Sequence, residues 1–447
     1  MDQVLLTRTL FGSSMAFHII FATLGVGVTL MILFAEIMRW IRKDDDYGIM
    51  AKRWTKGFAI LLGVAIPSGT IVGVMLSLLW PGFMEIVGKV IAVPFQIEIF
   101  AFFLEAVFMS IYIYAADRLS NVMRVISVAL VAFGASSSAY LINIAHSWMN
   151  TPRGFQLTDG QVTDVDPWAA VMNPSMQYTS KHVLATAYMT GAFVLVSIAA
   201  YKLLRKTNSD HERAYHKKGL MLTLVVALIA SLYTATNGHD TAKMLHNEMP
   251  LKLAAAEGLF ETQANAPLAI MGIPDPETGT IIGGIEIPGM LSWLATGTTE
   301  GVVQGLNDFP REEWPPLFVH TLFNIMVGIG FSLIGIAGIA IAWSVLFRGR
   351  DFPAWLLLIL VTTGPLSMLA IEMGWIFSCT GRQPWTIYGI QSTTDAATQS
   401  GNIGTLFILF MALYVMLLVL TGLVLKYYFS KNPLHEDLTK MKVQVLD

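Results

Sequence analysis

Nine stretches of this chain stay apolar for long enough to cross a bilayer, which takes about 20 helical residues each. They lie near 11–37, 54–80, 92–115, 123–148, 180–203, 216–236, 316–346, 354–376 and 402–427. Composition agrees, with 54% of residues hydrophobic and 13% charged, against about 25% charged in a soluble domain. Mean hydropathy is +0.60. The expected fold class is an all-α integral membrane protein with nine transmembrane helices. The N-terminus has no basic region and no small-residue cleavage site, so the first apolar run is expected to be kept as a helix. Cys379 is the only cysteine, which excludes an internal disulfide, a CxxC site and a CxxCH haem attachment.

Orientation follows from lysine and arginine, which concentrate in cytoplasmic loops. With alternate loops assigned to opposite sides, 20 of the 28 basic residues fall on one side. The other eight share a side that includes the long 237–315 segment. The N-terminus is therefore expected outside and the C-terminus in the cytoplasm. The chain divides into helices 1–6 (residues 1–236), an extracytoplasmic loop (237–315), and helices 7–9 with a tail (316–447).

One run departs from the apolar pattern. Val93–Tyr114 carries Glu98 and Glu105, seven residues and so about two turns apart on one helical face. A carboxylate in hydrocarbon costs at least roughly 2.5 kcal/mol, so it needs a partner, a proton or a cavity. In the expected orientation, Glu105 falls near mid-membrane. His18, Glu98, His146, His182, His320, Met326 and Glu372 all fall in the outer half, on six helices. Each also has a plainer reading. His146 and His320 suit interfacial hydrogen bonding, and Met326 is one of 24 methionines, a residue that commonly fills core gaps.

Imidazole, thioether and carboxylate are all iron ligands, and a His/Met pair is a low-spin haem ligation. Bundle cores hold such cofactors between facing helices. Zinc fits less well, because no HExxH or clustered Cys/His spacing is present. The residues alone leave two readings open: a haem-containing redox protein, or a proton-coupled transporter lined by the same carboxylates.

Several strings go further. Glu372-Met373-Gly374-Trp375 precedes Gly381-Arg382-Gln383-Pro384-Trp385, and the outer loop contains Lys252-Leu253-Ala254-Ala255-Ala256-Glu257. The third run holds Phe102-Phe103-Leu104-Glu105 and the seventh Ile325-Met326-Val327-Gly328. In this order, from the first run to the ninth, the chain resembles subunit I of the cytochrome bd-type quinol oxidases.

That resemblance implies a haem-containing subunit of a terminal respiratory oxidase, a quinol:oxygen oxidoreductase that generates a proton motive force without pumping. His182 and Met326 match the axial pair of a low-spin haem b. His18 and Glu372 match ligands of two high-spin centres, a haem b and a haem d (or a further haem b in its place). Glu98 matches a ligand or proton donor there, and Glu105 a carboxylate of the inward proton path. Lys252 and Glu257 match the quinol-binding loop; by placement rather than by a match, Arg382 and Trp385 lie where haem propionates and the quinol loop would need a cation and an aromatic. Implied partners are subunit II, a small single-helix subunit, membrane quinol and dioxygen, with no nucleic acid. The implied location is the bacterial cytoplasmic membrane.

Three positions depart from the pattern. Asn324 stands where some relatives carry arginine, Met368 where many carry tryptophan, and His146 where some carry asparagine, so His146 has no assigned role. Residues 262–285, with MGIPDPETGT, are expected to be irregular, as a mobile lid. A transporter would bind no chromophore; a haem sensor without turnover would not need Glu105, Lys252 or Glu257.

Overall fold

The computed structural model describes residues 3–205 and 209–444. Among the described residues, nine helices are long and apolar enough to cross a membrane. They are α1 (Gln3–Arg42), α2 (Asp45–Leu79), α3 (Ala92–Ala115), α4 (Asn121–Asn150), α5 (Met176–Leu204), α6 (Asp210–Glu248), α7 (Val319–Leu346), α8 (Ala354–Thr380) and α9 (Ile403–Lys431). Each coincides with one of the apolar runs. Several run on past the apolar residues, because helical hydrogen bonding needs no hydrophobic side chains. The clearest case is α6, which passes residue 236 and continues through Asn237, His239 and His246 to Glu248. Its other end carries a capping box, with Ser209 and Glu212 each bonding the other's backbone N–H.

α1 and α5 form the centre of the bundle. α1 packs on α2, α4, α5 and α9, and α5 packs on α4, α6 and α8. The two meet at a pair of glycines. A Cβ on Gly191 would lie 2.5 Å from the Gly27 Cα, and one on Gly27 would lie 2.2 Å from the Ala187 carbonyl oxygen. Small residues at membrane helix crossings permit this backbone approach.

α8 contains Pro365, which cannot donate to the carbonyl four residues earlier, that of Val361. Ser197 of α5 supplies the missing donor, at 2.8 Å from Val361 O, and accepts from Gly364 N at 2.8 Å. The freed backbone groups are satisfied by a neighbouring helix, as a membrane interior requires. At one end of the bundle ion pairs join the loops. Lys218 Nζ reaches Asp44 at 2.5 Å and Asp46 at 2.6 Å, and Arg53 ties Asp437 to α2 at 2.6 Å.

At the opposite end, Met249–Phe318 forms an ordered cap. It opens with a short helix, Pro250–Glu257, ending at Gly258 with φ +67°. The expectation of an irregular segment at 262–285 does not hold. Strands Leu268–Ile270 and Ile285–Ile287 pair around an inner hairpin of Ile273–Asp275 and Thr280–Ile282. Isoleucines favour the pleated surface. Within MGIPDPETGT, residues 276–279 close the inner hairpin, with Gly279 N bonded to Asp275 O at 2.9 Å. At Gly272 (φ +90°), a Cβ would be 2.4 Å from Ile281, so only glycine lets the hairpin fold back here.

Candidate functional site

The side chains singled out in sequence are held by identifiable neighbours. His18 Nδ1 lies 3.0 Å from Ser68 Oγ on α2. Ser68 spends its own proton on the Ala65 carbonyl at 2.9 Å, so the imidazole must donate and the Nε2 lone pair is left for another group. His182 repeats the arrangement from α5, with Nδ1 3.0 Å from Asn237 Oδ1 on α6. Fixing one ring nitrogen by a hydrogen bond is how proteins orient a histidine that ligates a metal through the other. Asn237 lies beyond the apolar run, where hydropathy gives no signal for it.

α8 packs against both α5 and α7, and α6 does the same. His182 and Met326 are therefore carried on helices separated by a shared pair of neighbours. The Met326 sulfur lies against α8 at Gly374, where a Cβ would come within 2.8 Å of Sδ. Two residues earlier on α8, Glu372 Oε1 is buried with no hydrogen-bond partner. On α3, Glu98 accepts from Ser138 Oγ at 2.5 Å. Glu105 is 8% exposed, and its backbone lies against α4 at Gly134, where a Cβ would be 2.9 Å from Glu105 N.

A second group gathers where α4 and α8 end. Lys252 Nζ donates to Asn150 Oδ1 at 3.0 Å and to the Ser378 carbonyl at 2.9 Å, and sits over the Phe377 ring. Arg382 is 5% exposed. Its Nε and Nη1 are buried without partners, and Nη2 reaches only the Met149 sulfur at 3.9 Å. Among the described residues, neither cation forms an ion pair. Burial, reinforced by the Arg382 charge, pushes the Lys252 amine down to about 7. Burial pushes the Glu257 carboxyl up to about 8, and its Oε2 is unpartnered. Lys252 and Glu257 share one short helix but do not pair. Glu257 adjoins Gly258, beside His320, whose ring bonds the Ala256 and Met271 carbonyls at 2.8 and 3.1 Å.

Not every singled-out residue joins these groups. Trp385 begins a two-stranded turn after α8, paired with Ser392. Asn324, in place of an arginine, holds the hairpin by accepting from Met271 N at 2.8 Å. His146, unassigned from sequence, bonds Ser378 Oγ through Nε2 at 2.8 Å and packs edge-on to Trp375.

The buried Glu372 oxygen, the two free Arg382 nitrogens and the free Nε2 of His18 and of His182 are groups of the kinds that hold haem iron and its propionates. Comparisons with known proteins agree. The family model for cytochrome bd terminal oxidase subunit I matches residues 6–433. A Bacillus subtilis (strain 168) protein named as a cytochrome bd menaquinol oxidase subunit I is 55% identical, over 98% of this chain and 99% of its own length. A cytochrome bd ubiquinol oxidase subunit 1 from the same organism is 30% identical, over 95% and 92%. The bd oxidase structure from Geobacillus thermodenitrificans superposes with a TM-score of 0.90 at 42% identity, covering 97% of this chain and 99% of that one. The chain belongs to the cytochrome bd terminal oxidase subunit I family.

Proposed function

We propose that this chain is the haem-carrying subunit of a membrane quinol oxidase that reduces dioxygen to water. The observation that carries the reading is the set of buried groups without partners, Glu372 Oε1 with Arg382 Nε and Nη1. Buried polar groups are ordinarily satisfied, so such a set calls for a ligand. His182 and Met326 would hold a low-spin haem b. His18 and Glu372 would hold two high-spin centres, a haem b and a haem d or further haem b, with Glu98 as ligand or proton donor. Arg382 would meet a propionate, and Trp385 would flank it. Bound haem supplies one-electron transfer and the iron at which oxygen is reduced.

The chain's own residues handle protons. Near neutral pH the Lys252 amine, at about 7, can accept a quinol proton, while the Glu257 carboxyl, at about 8, is still neutral and can donate to a quinol oxygen. Glu105 would lie on the path bringing protons to the oxygen site from the cytoplasm. The distribution of lysine and arginine supports an N-terminus outside and a C-terminus inside. Quinol protons then leave outside while those consumed in water enter from inside, which separates charge without a pump. On this reading residues 1–236 and 316–447 carry the cofactors and 237–315 the quinol segment, although α6 itself runs to Glu248. Subunit II and a small single-helix subunit would complete the assembly in a bacterial cytoplasmic membrane.

The test is a reduced-minus-oxidised visible spectrum of the purified complex, with and without carbon monoxide, alongside quinol-dependent oxygen uptake. Haem b bands, a carbon monoxide-sensitive signal and quinol-driven uptake are expected. A colourless complex, expressed with adequate haem and subunit II, would refute the reading.

A further inference from the structure

We propose that the bend of the cap hairpin, where residues 270–273 meet residues 282–285, enters the lipid leaflet on the cap's side of the membrane and contacts acyl chains directly. Only the membrane placement of the chain is needed for this, not the chemistry proposed above. Ile270 pairs with Ile285 across the outer strands, and Ile273 with Ile282 across the inner ones. Successive side chains on a strand point to opposite faces, so in each sheet these isoleucines point away from the buried Ala269 or Pro274. They are bare. Met271 is 56% exposed, Ile282 61%, and Ile273 and Ile285 68%. None of the five belongs to a spanning helix, so lipid explains their exposure only if the bend itself reaches it. An apolar cluster of this kind marks a contact surface.

Depth selects lipid as the occupant. The bend is tied to α7, with Met271 N donating to Asn324 Oδ1 at 2.8 Å and Met271 O lying 3.1 Å from His320 Nε2. The 28 residues of α7 run for about 42 Å, against roughly 30 Å of hydrocarbon. About 6 Å, or roughly four residues, then stands clear at each end of a centred helix, so the hydrocarbon begins level with Asn324. The backbone agrees. Irregular chain is kept at membrane depth only where protein groups meet its N–H and C=O. The Met271 side chain is exposed, and water could satisfy its backbone if water surrounded it. Instead α7 turns two polar side chains, one helical turn apart, onto the N–H and the carbonyl. Charge is distributed to match, since residues 270–274 and 281–285 hold no charged side chain. Asp275, Glu277 and Glu286 lie beyond the bend, and Arg311, ahead of α7, holds the far turn through the Pro276 carbonyl at 2.5 Å. With no cation at the bend, entry is driven by apolar burial rather than by attraction to anionic head groups.

The test uses the complete complex in phosphatidylethanolamine–phosphatidylglycerol vesicles, with Cys379, the chain's only cysteine, replaced by serine. Ile282→Cys and, separately, Ile285→Cys carry a nitrobenzoxadiazole fluorophore at the bend, and Glu277→Cys carries it at the far turn. All three positions are exposed, so the substitutions leave packing intact. C379S alone, treated in parallel, gives the background. At 282 and 285 the emission should shift to the blue relative to 277. Phospholipids spin-labelled high on the acyl chain should quench those two positions severalfold more than 277, and iodide in the water should quench in the reverse order. Aqueous emission at 282 and 285, or equal quenching at all three positions, would overturn the insertion. Labels at 282 and 285 shielded from both quenchers would place a protein partner on the bend, which overturns the lipid assignment as well.

Discussion

Replacing Gly191 by alanine tests the centre of the bundle. The new Cβ would sit 2.5 Å from both C and Cα of Gly27, whereas carbon atoms rest at about 3.5–4.0 Å. α1 and α5 must therefore part by roughly 1 Å, since backbone cannot swing aside as a flexible side chain can. Overpacking of this kind costs about 1–3 kcal/mol, offset by about 0.5–1 kcal/mol from replacing a mid-helix glycine. The net loss should be around 1 kcal/mol. The displacement should also reach the candidate ligands. His18 and His182 each lie nine residues before the glycine on their own helix, about 13.5 Å away at 1.5 Å per residue. The assay compares thermal inactivation and the visible spectrum of G191A with those of Gly330→Ala, where nothing lies within 4 Å of the new Cβ. G191A should inactivate faster with a shifted spectrum, while G330A should match or slightly exceed the wild type. If the two variants behave alike, α1 and α5 do not touch at this point.

Further outcomes follow from other contacts. Quinol-dependent oxygen uptake should rise with pH through about 7, as Lys252 loses its proton, and fall above about 8, as Glu257 loses the proton it donates. Lys252→Arg, which cannot deprotonate, should remove the lower limb of that profile. Asn237→Leu removes the hydrogen bond that orients His182, and on the proposed ligation should weaken haem retention by about 10–100-fold; titration of haem into the apo complex measures this. Arg382→Met should leave the chromophore-free complex as stable or more so, because a buried unpaired charge is gone, yet destabilise the loaded one. Melting both forms distinguishes the two effects. Ser197→Ala leaves the Val361 carbonyl without its donor and should cost about 1–3 kcal/mol, read as earlier thermal inactivation.

The nine spans were legible because a bilayer demands long apolar helices, and hydropathy reports that demand directly. It does not report where a helix ends once polar residues continue it, so the extension of α6 to Glu248 was hidden, and Asn237 with it. The hairpins of 268–287 were missed because their proline and glycine turns also suit an irregular loop. The unusual side chains could be found one at a time, since an ionisable residue in an apolar run is conspicuous. Their neighbours could not. Lys252 meets Asn150 and Ser378 across 102 and 126 residues of chain, and no local pattern ties such positions together. The Gly27–Gly191 contact was hidden for the same reason, because glycine counts do not say which glycines face each other.

His320 ties two parts of the cap together through one ring. Its ring stands between two backbone carbonyls, that of Ala256 beside Glu257 and that of Met271 at the hairpin bend. Both are acceptors, and a neutral imidazole has one N–H to give. In that state the ring can fasten the helix bearing Lys252 and Glu257, or it can fasten the hairpin, but not both. Each half keeps a second hold, Met271 N on Asn324 for the hairpin and Lys252 on Asn150 and Ser378 for the helix, so the tautomer of this fully buried ring shifts one tether between them without releasing either.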